Sequence, residues 1–500
     1  MPPARSATDP IADIELLIKS RYGLIVVDSI EEERVETVLR LVADRMGLAL
    51  FHWSRAKGLR RDGYDNAVYG TTEPGQLLAH LVGSTLPSLY HLSGIQSVLA
   101  TDSYAEQLKD VAMAYSQRPS AVVLSGGGLD LPETLRRLAA AVSLPGPDTQ
   151  DYRELLEHLL RDLGQRTRVR VDMPEAEVAR LLNHMKGLTL LEAEKILTKA
   201  IVEDGRLSHD DVSHVIAAKK DIVEREGVLE YYPVEETMAH IADLAGLKAW
   251  LAKRKNIITA PEEAMRFGLS FPKGVLLIGV PGCGKSLCAK AVAMEWSLPL
   301  LKLDPGGLYN KYIGETEKNF KRAMQTAERL APCVLFIDEL EKAFASGGSE
   351  DGGVSQRVLG TFLSWLQDRR GDVFTVATAN DVSRLPPEFL RKGRFDEVFF
   401  VDLPNEGARE QIVRIHLRKR NQDVAGLDVM AIVRATAGFS GAEVEQVIVS
   451  ALYTAFSDSK PLSTELLLAE VHATRPLSQT MAERVQSLRQ WAAGRTVSAN

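Results

Sequence analysis

Three cysteines in 500 residues, at positions 283, 288 and 333, are too few and too oddly spaced for a disulfide framework or a zinc ribbon, and they suit a reducing compartment. The first residues, MPPARSATDPIADIELL, lack a basic segment leading into an uninterrupted apolar stretch. No run of about 18 apolar residues occurs anywhere, so a cytoplasmic protein without a membrane span is expected. A surplus of positive charge is missing as well. The formal net charge is −7, which argues against a broad sequence-independent nucleic-acid surface, although a basic pore could hide within an acidic total. The absence of an H-E-x-x-H pattern removes the support for a protease acting within the same chain. What is present is ordinary for a globular protein, 45% hydrophobic and 25% charged residues, in a chain too long for one core. Two or more domains are expected.

The most informative stretch is GVLLIGVPGCGKS, residues 274–286. Val275 to Ile278 read as a buried strand, Gly279-Val280-Pro281-Gly282-Cys283-Gly284-Lys285-Ser286 as a glycine-rich loop, and Leu287 onward as a helix. The spacing G-x-x-x-x-G-K-S lets backbone N–H groups turn inward around a triphosphate at a helix N-terminus. Lys285 then reaches the β/γ-phosphates and Ser286 reaches Mg²⁺. A second apolar run, Val334-Leu335-Phe336-Ile337, ends in Asp338-Glu339, and reads as a central strand presenting two carboxylates at its C-terminal edge. Asp338 is expected to hold Mg²⁺ and Glu339 to polarise the attacking water. Asn380 ends a third strand-like run, 373–379. ATP and Mg²⁺ are therefore the expected cofactors.

The first half alternates in the same way, with strands expected at 23–28, 48–53, 89–94 and 121–125 and helices at 31–46 and 103–115. Where a phosphate loop would follow its first strand stands Ser29-Ile30-Glu31-Glu32-Glu33, with neither glycine nor lysine and with three carboxylates. Nothing there can hold a triphosphate. Residues 122–160 nevertheless echo 375–417, Lys186-Gly187-Leu188-Thr189 echoes Ala437-Gly438-Phe439-Ser440, and 206–220 echo 461–475. Repeats of this length imply duplicated domains. The fold class is α/β, two tandem modules of parallel sheet, flanking helices and helical lid, the first degenerate. Expected boundaries are 1–230 for the degenerate module (core 20–165, lid 166–225), 234–405 for the working core, 406–480 for its lid and 481–500 for a tail, with Tyr231-Tyr232-Pro233 as a linker.

In this order of motifs the second half resembles the AAA ATPases of the AAA+ superfamily. The layout of a worn copy before one working module resembles the hypothetical-chloroplast-reading-frame AAA ATPases of bacteria, cyanobacteria and plastids. The resemblance implies that Asp243, Leu244 and Ala245 of an Asp-Leu-Ala-Gly turn pack on the adenine, together with Gly441 and Ala442 of the lid, and that Asn380 senses the γ-phosphate. It implies that Arg391 and Arg394, in LRKGRFD, reach into a neighbouring subunit's site of a hexameric ring. It further implies that Lys311, Tyr312, Ile313 and Gly314 line a central pore where Tyr312 grips an extended protein client, with a glycine-rich loop at 346–353 beside it. The family's usual small residue or Thr is Cys283 here. Set among inward-facing N–H groups beside Lys285, its thiol is expected to have a depressed pKa. The expected activity is ATP hydrolysis by a homo-oligomer that remodels or unfolds an unknown protein client. A nucleotide-dependent switch or scaffold is the alternative, and a motor on nucleic acid is disfavoured by charge.

Overall fold

The computed structural model describes residues 9–29, 31–99, 101–127, 129, 131–166, 169–225, 227–232, 244–303, 315–344, 354–369 and 371–500. Two compact units emerge, residues 1–162 with 189–195, and residues 163–188 with 196–500.

In the first unit, β1 (Leu24–Asp28), β2 (Ala49–Ser54), β3 (Gly58–Arg61), β4 (Ser88–Ser93), β5 (Ala121–Ser125) and β6 (Ala139–Ser143) form one sheet in the order β3-β2-β4-β5-β1-β6. All neighbours are parallel except the β2–β3 hairpin. The inner strands are buried on both faces, which is why they read as continuous apolar runs instead of alternating ones. One face packs on Val35, Leu39 and Val42 of the helix Glu32–Met46, the other on Leu108, Val111 and Tyr115 of the helix Asp102–Tyr115.

A short parallel pair, β7 (Arg170–Val171) and β8 (Arg206–Leu207), precedes the second sheet. That sheet comprises β9 (Leu229–Tyr232), β10 (Gly274–Gly279), β11 (Leu300–Leu303), β12 (Cys333–Ile337), β13 (Val373–Ala379), β14 (Glu397–Val401) and β15 (Val497–Ser498), in the order β15-β14-β10-β13-β12-β11-β9. From β14 to β11 it repeats the first sheet's β6-β1-β5-β4-β2 strand for strand; each sheet then ends in an antiparallel edge strand, but β3 follows β2 in the chain whereas β9 precedes β10. Both modules also cap a lid helix alike. The backbone N–H of Thr189 donates to Glu192, and the N–H of Glu192 to the Thr189 hydroxyl. Ser440 and Glu443 make the same reciprocal pair. The duplication legible in the sequence is thus a duplication of topology.

Two expectations at the edges of the second unit are corrected. Tyr231 and Tyr232 are not a linker: they lie in β9, paired antiparallel with Leu301 and Leu300, with Glu230 bound to Lys302 at 3.2 Å. A four-residue strand rich in tyrosine and flanked by proline carries too little pattern to distinguish an edge strand from a connection. Residues 481–500 are not a tail. They form the helix Ala482–Ala492 and the edge strand β15, parallel to β14, with Ala499 fully buried.

Candidate functional site

The loop from Gly279 to Lys285 turns where strand β10 ends and the helix Lys285–Trp296 begins. Gly282 and Gly284 hold φ of +76° and +84°, a left-handed backbone that other residues adopt only at a cost. A Cβ on Gly282 would also come within 3.0 Å of the Ser440 hydroxyl, so the lid closes on a position where only glycine fits. Leu287 and Cys288 donate their N–H groups to the carbonyl of the N-cap Gly284 at 3.0 and 3.2 Å, and the helix presents its anion-favouring N-terminus to the loop.

Lys285 is 6% exposed, and burial lowers its pKa. Its ammonium donates to the carbonyls of Gly279 and Val280, at 2.9 and 2.8 Å. A buried cation at a glycine-rich turn that opens a helix suits a polyanion, so the residues present fit a triphosphate.

A cavity of about 500 Å³ opens from this loop. Across it, the Ser286 hydroxyl stands 3.3 Å from both carboxylate oxygens of Asp338, and Thr378 donates to Asp338 at 2.6 Å. One hydroxyl and one carboxylate, both oxygen donors at a phosphate cradle, fit a magnesium ion.

Glu339 follows with φ +51°, a conformation that costs a non-glycine residue roughly 1 kcal/mol or more. It is held there by its own N–H donating to Thr378 and by its place at the start of the helix Leu340–Ala343. This turn swings the carboxylate into the cavity. The Asn380 amide donates to it at 2.9 Å, and Lys342 pairs with its other oxygen at 2.6 Å. Buried Glu341 receives the Asn380 N–H and so locks Asn380 to the same turn.

The far end of the cavity is lined by Leu244 of the core and by Ile412, Ile415 and Ala442 of the lid, with His416 and Glu445 beside them. The Ala442 N–H donates to the Gly282 carbonyl at 3.0 Å, tying the lid to the phosphate loop. His416 lies 3.3 Å from Glu445, and burial lowers the His416 pKa against the pull of that carboxylate.

Not every expected residue converges on the cavity. Leu244, Gly441 and Ala442 line it, Ala245 is exposed and does not, and Asp243 lies outside the described residues. Lys311, Tyr312, Ile313, Gly314 and the loop at 346–353 also lie outside them. Arg391 is exposed, and Arg394 donates to the Glu388 carbonyl; neither lines the cavity.

The expectation for Cys283 is overturned. Its pKa is pushed up to about 12, because burial outweighs the nearby Lys285 charge. The Sγ faces the Pro281 carbonyl at 3.9 Å and packs against the apolar core beneath the loop. Cys288 and Cys333 are buried with pKa values also pushed to about 12. Sequence spacing placed the residue near the charge but could not show which way its side chain points. At pH 8 a thiol with a pKa of about 12 is only about 10⁻⁴ thiolate. Maleimide should therefore label the native chain far more slowly than it labels the urea-unfolded chain, as mass spectrometry would read; prompt native labelling at Cys283 would contradict this burial.

Sequence reasoning missed the C-terminal segment. Asn500 lines the cavity, and the Ala499 carbonyl accepts the N–H groups of Gly246 and Leu247 at 3.0 and 3.2 Å. A Cβ on Gly246 would stand 2.5 Å from the Ser498 carbonyl, so this glycine serves the close approach of β15. Arg489 binds Asp402 through three contacts of 2.8 to 3.0 Å, and Arg484 binds Asp381 at 3.1 Å. Both carboxylates follow strands of the site, β14 and β13. Removing residues 497–500 should raise the ATP Kd about tenfold, the loss of one or two hydrogen bonds' worth of ordering at the Leu244 turn. Gly246→Ala should do the same in the full chain and add nothing in the shortened one; titration of a fluorescent ATP analogue would tell.

Aligning the modules on their pairing, His91 across from Val123 as Phe336 is from Val376, sets Ser93 where Asp338 stands, Gly94 for Glu339 and Gly127 for Asn380. In place of the phosphate loop, the Glu31 carboxylate accepts the Leu190 N–H at 2.9 Å and pairs with Arg34 at 2.7 Å. The first module has a carboxylate at its lid-helix N-terminus where the second has the Gly282 carbonyl, which accepts the Ala442 N–H.

Residues 275–403 match the ATPase family associated with various cellular activities (AAA). Residues 11–144 match the N-terminal domain, and 150–226 the second domain, of the SpoVK-like AAA ATPases. The chain is 35% identical over 485 residues to the AAA domain-containing protein ycf46 of Trieres chinensis, covering 96% of each. It is 34% identical to those of Guillardia theta, covering 96% of this chain and 94% of the relative, and of Pyropia yezoensis, covering 96% and 97%. Among the described residues no helix is long and apolar enough to cross a membrane.

Proposed function

Since this chain belongs to the AAA ATPase family, with a nucleotide-dependent activity, we propose that its second module hydrolyses ATP with Mg²⁺ and does so in a ring of like subunits. The observation that carries this reading is the convergence on one cavity of the phosphate loop, the Ser286–Asp338 pair and the Glu339–Asn380 pair. The glycine loop and Lys285 bind the triphosphate; Ser286 and Asp338 hold the metal, which when bound neutralises charge on the phosphate oxygens. Glu339, fixed by Asn380, orients the attacking water and accepts its proton. Leu244, Ile412 and Ile415 offer the adenine apolar faces. Arg391 and Arg394 lie outside their own chain's cavity, which supports a site completed by a neighbour. The direct test is phosphate release by the full chain, together with sizing with and without ATP; no turnover under any assembly state would refute the reading.

The output proposed is remodelling of a protein client through a pore lined by Tyr312. Tyr312→Ala should leave basal hydrolysis within about twofold of the wild type while abolishing any stimulation by an unfolded protein substrate such as casein, the outcome expected of a residue that grips the client and takes no part in hydrolysis. An unchanged stimulated rate would favour the second reading, a nucleotide-dependent switch or scaffold. The Lys342–Glu339 ion pair supports that alternative, because it restrains the water-orienting carboxylate and favours slow basal turnover.

A further inference from the structure

The first module, which has no phosphate loop, carries a polar cluster that its loss of nucleotide chemistry leaves unexplained. His52 on β2 and His91 on β4 are directly paired across two parallel strands, so their rings stand side by side on the face covered by the helix Glu32–Met46. Glu36 projects from that helix toward them. The Nδ1 atoms of the two histidines are 3.3 Å apart, the Glu36 carboxylate is 3.8 Å from the His52 Nδ1, and one ligand atom from each residue lies within 4.8 Å of the others. Two nitrogens bound to one zinc ion at about 2.0–2.1 Å in tetrahedral geometry stand about 3.4 Å apart.

The outer ring nitrogens are already engaged. His52 Nε2 is 3.2 Å from Asp62, itself clamped by Arg40 through two contacts of 2.8 and 2.9 Å, and His91 Nε2 is 2.7 Å from the Ser125 hydroxyl. In the tautomer that donates each Nε2 proton to its oxygen, the two Nδ1 atoms 3.3 Å apart are both acceptors, and a cation bound between them would satisfy both. A carboxylate behind a histidine is also the usual way proteins set the tautomer and raise the basicity of a metal-binding imidazole. The site lies beneath the helix that corresponds to the phosphate-loop helix, His91 occupying the place of Phe336 and His52 that of Lys302. Apolar packing at the first of these positions in the working module has become a ligand set in the worn one.

We propose that Glu36, His52 and His91 bind a divalent transition-metal ion of the zinc class, leaving a fourth coordination position on the side of half-exposed Glu36. His91 is 1% exposed and His52 16%, so the nitrogens are shielded while the carboxylate side stays open to solvent.

The test uses the full chain, stripped with a chelator and kept free of nucleotide and Mg²⁺, titrated with Zn²⁺ against a chromogenic competitor and with Co²⁺ as a spectroscopic probe. One equivalent of tightly bound Zn²⁺, and a Co²⁺ spectrum of low coordination number, are expected. His52→Ala should weaken Zn²⁺ binding by about 100-fold or more, and Asp62→Asn, which touches only the ring's far side, by about tenfold. Glu36→Gln, half-exposed and nearly isosteric, guards against a folding artefact, as does ATP binding at the second module, which all variants should retain. Absence of a Zn²⁺ equivalent, or one that survives both His52→Ala and Glu36→Gln, would overturn the proposal and leave two imidazoles sharing one proton.

Discussion

Replacing Glu339 by glutamine is expected to leave ATP bound and its hydrolysis slowed by about 10²- to 10⁴-fold, the contribution typical of a positioned general base. The side chain touches neither Ser286 nor Asp338 within hydrogen-bonding distance, so the phosphate cradle and the metal donors survive the change. The amide oxygen of the new residue can still accept from Asn380, and the left-handed turn at φ +51° is untouched. Only the basicity and the Lys342 ion pair are lost. Single-turnover phosphate release, beside a binding titration, separates the two effects. Turnover near the wild-type rate would assign the base elsewhere, with Glu341 the nearest other carboxylate on that turn but engaged with the Asn380 N–H.

Arg394→Ala should lower hydrolysis by about 10³-fold or more, the usual range for an arginine that meets the developing charge of phosphoryl transfer. Lys285→Ala should remove nucleotide binding itself. Mixed in equal amounts, the two inactive proteins should regain activity, because the phosphate loop of one and the arginine of the other can meet at one interface. With random assembly about one site in four would be complete, which sets the ceiling of the recovery. Zero rescue in rings proven to be mixed would place Arg394 in its own chain's structure, where its bond to the Glu388 carbonyl already gives it a role.

The tandem α/β architecture and the phosphate site were readable because each is written in contiguous residues. Buried parallel strands need apolar runs, as in 275–278 and 334–337, and a phosphate loop needs glycine where φ is positive, as at Gly282 and Gly284. The echo of Lys186-Gly187-Leu188-Thr189 in Ala437-Gly438-Phe439-Ser440 was legible for the same reason, since the turn from Thr189 to Glu192 keeps its capping chemistry after the catalysis is gone.

Tertiary structure alone decided whatever depends on which distant segments meet and which way a side chain turns. Cys283 is two residues from Lys285 in the chain, yet its half-buried side chain packs on the core at the cavity wall, and desolvation there outweighs the charge. Residues 497–500 have no motif, but pairing with β14 sets Asn500 at the nucleotide cavity and gives Gly246 its purpose. Tyr231 and Tyr232 became an edge strand because β11 offered an unpaired side. Glu36, His52 and His91 are scattered over 55 positions (91 − 36) and follow no ligand spacing; only parallel strand register and the helix above it draw them within 4.8 Å.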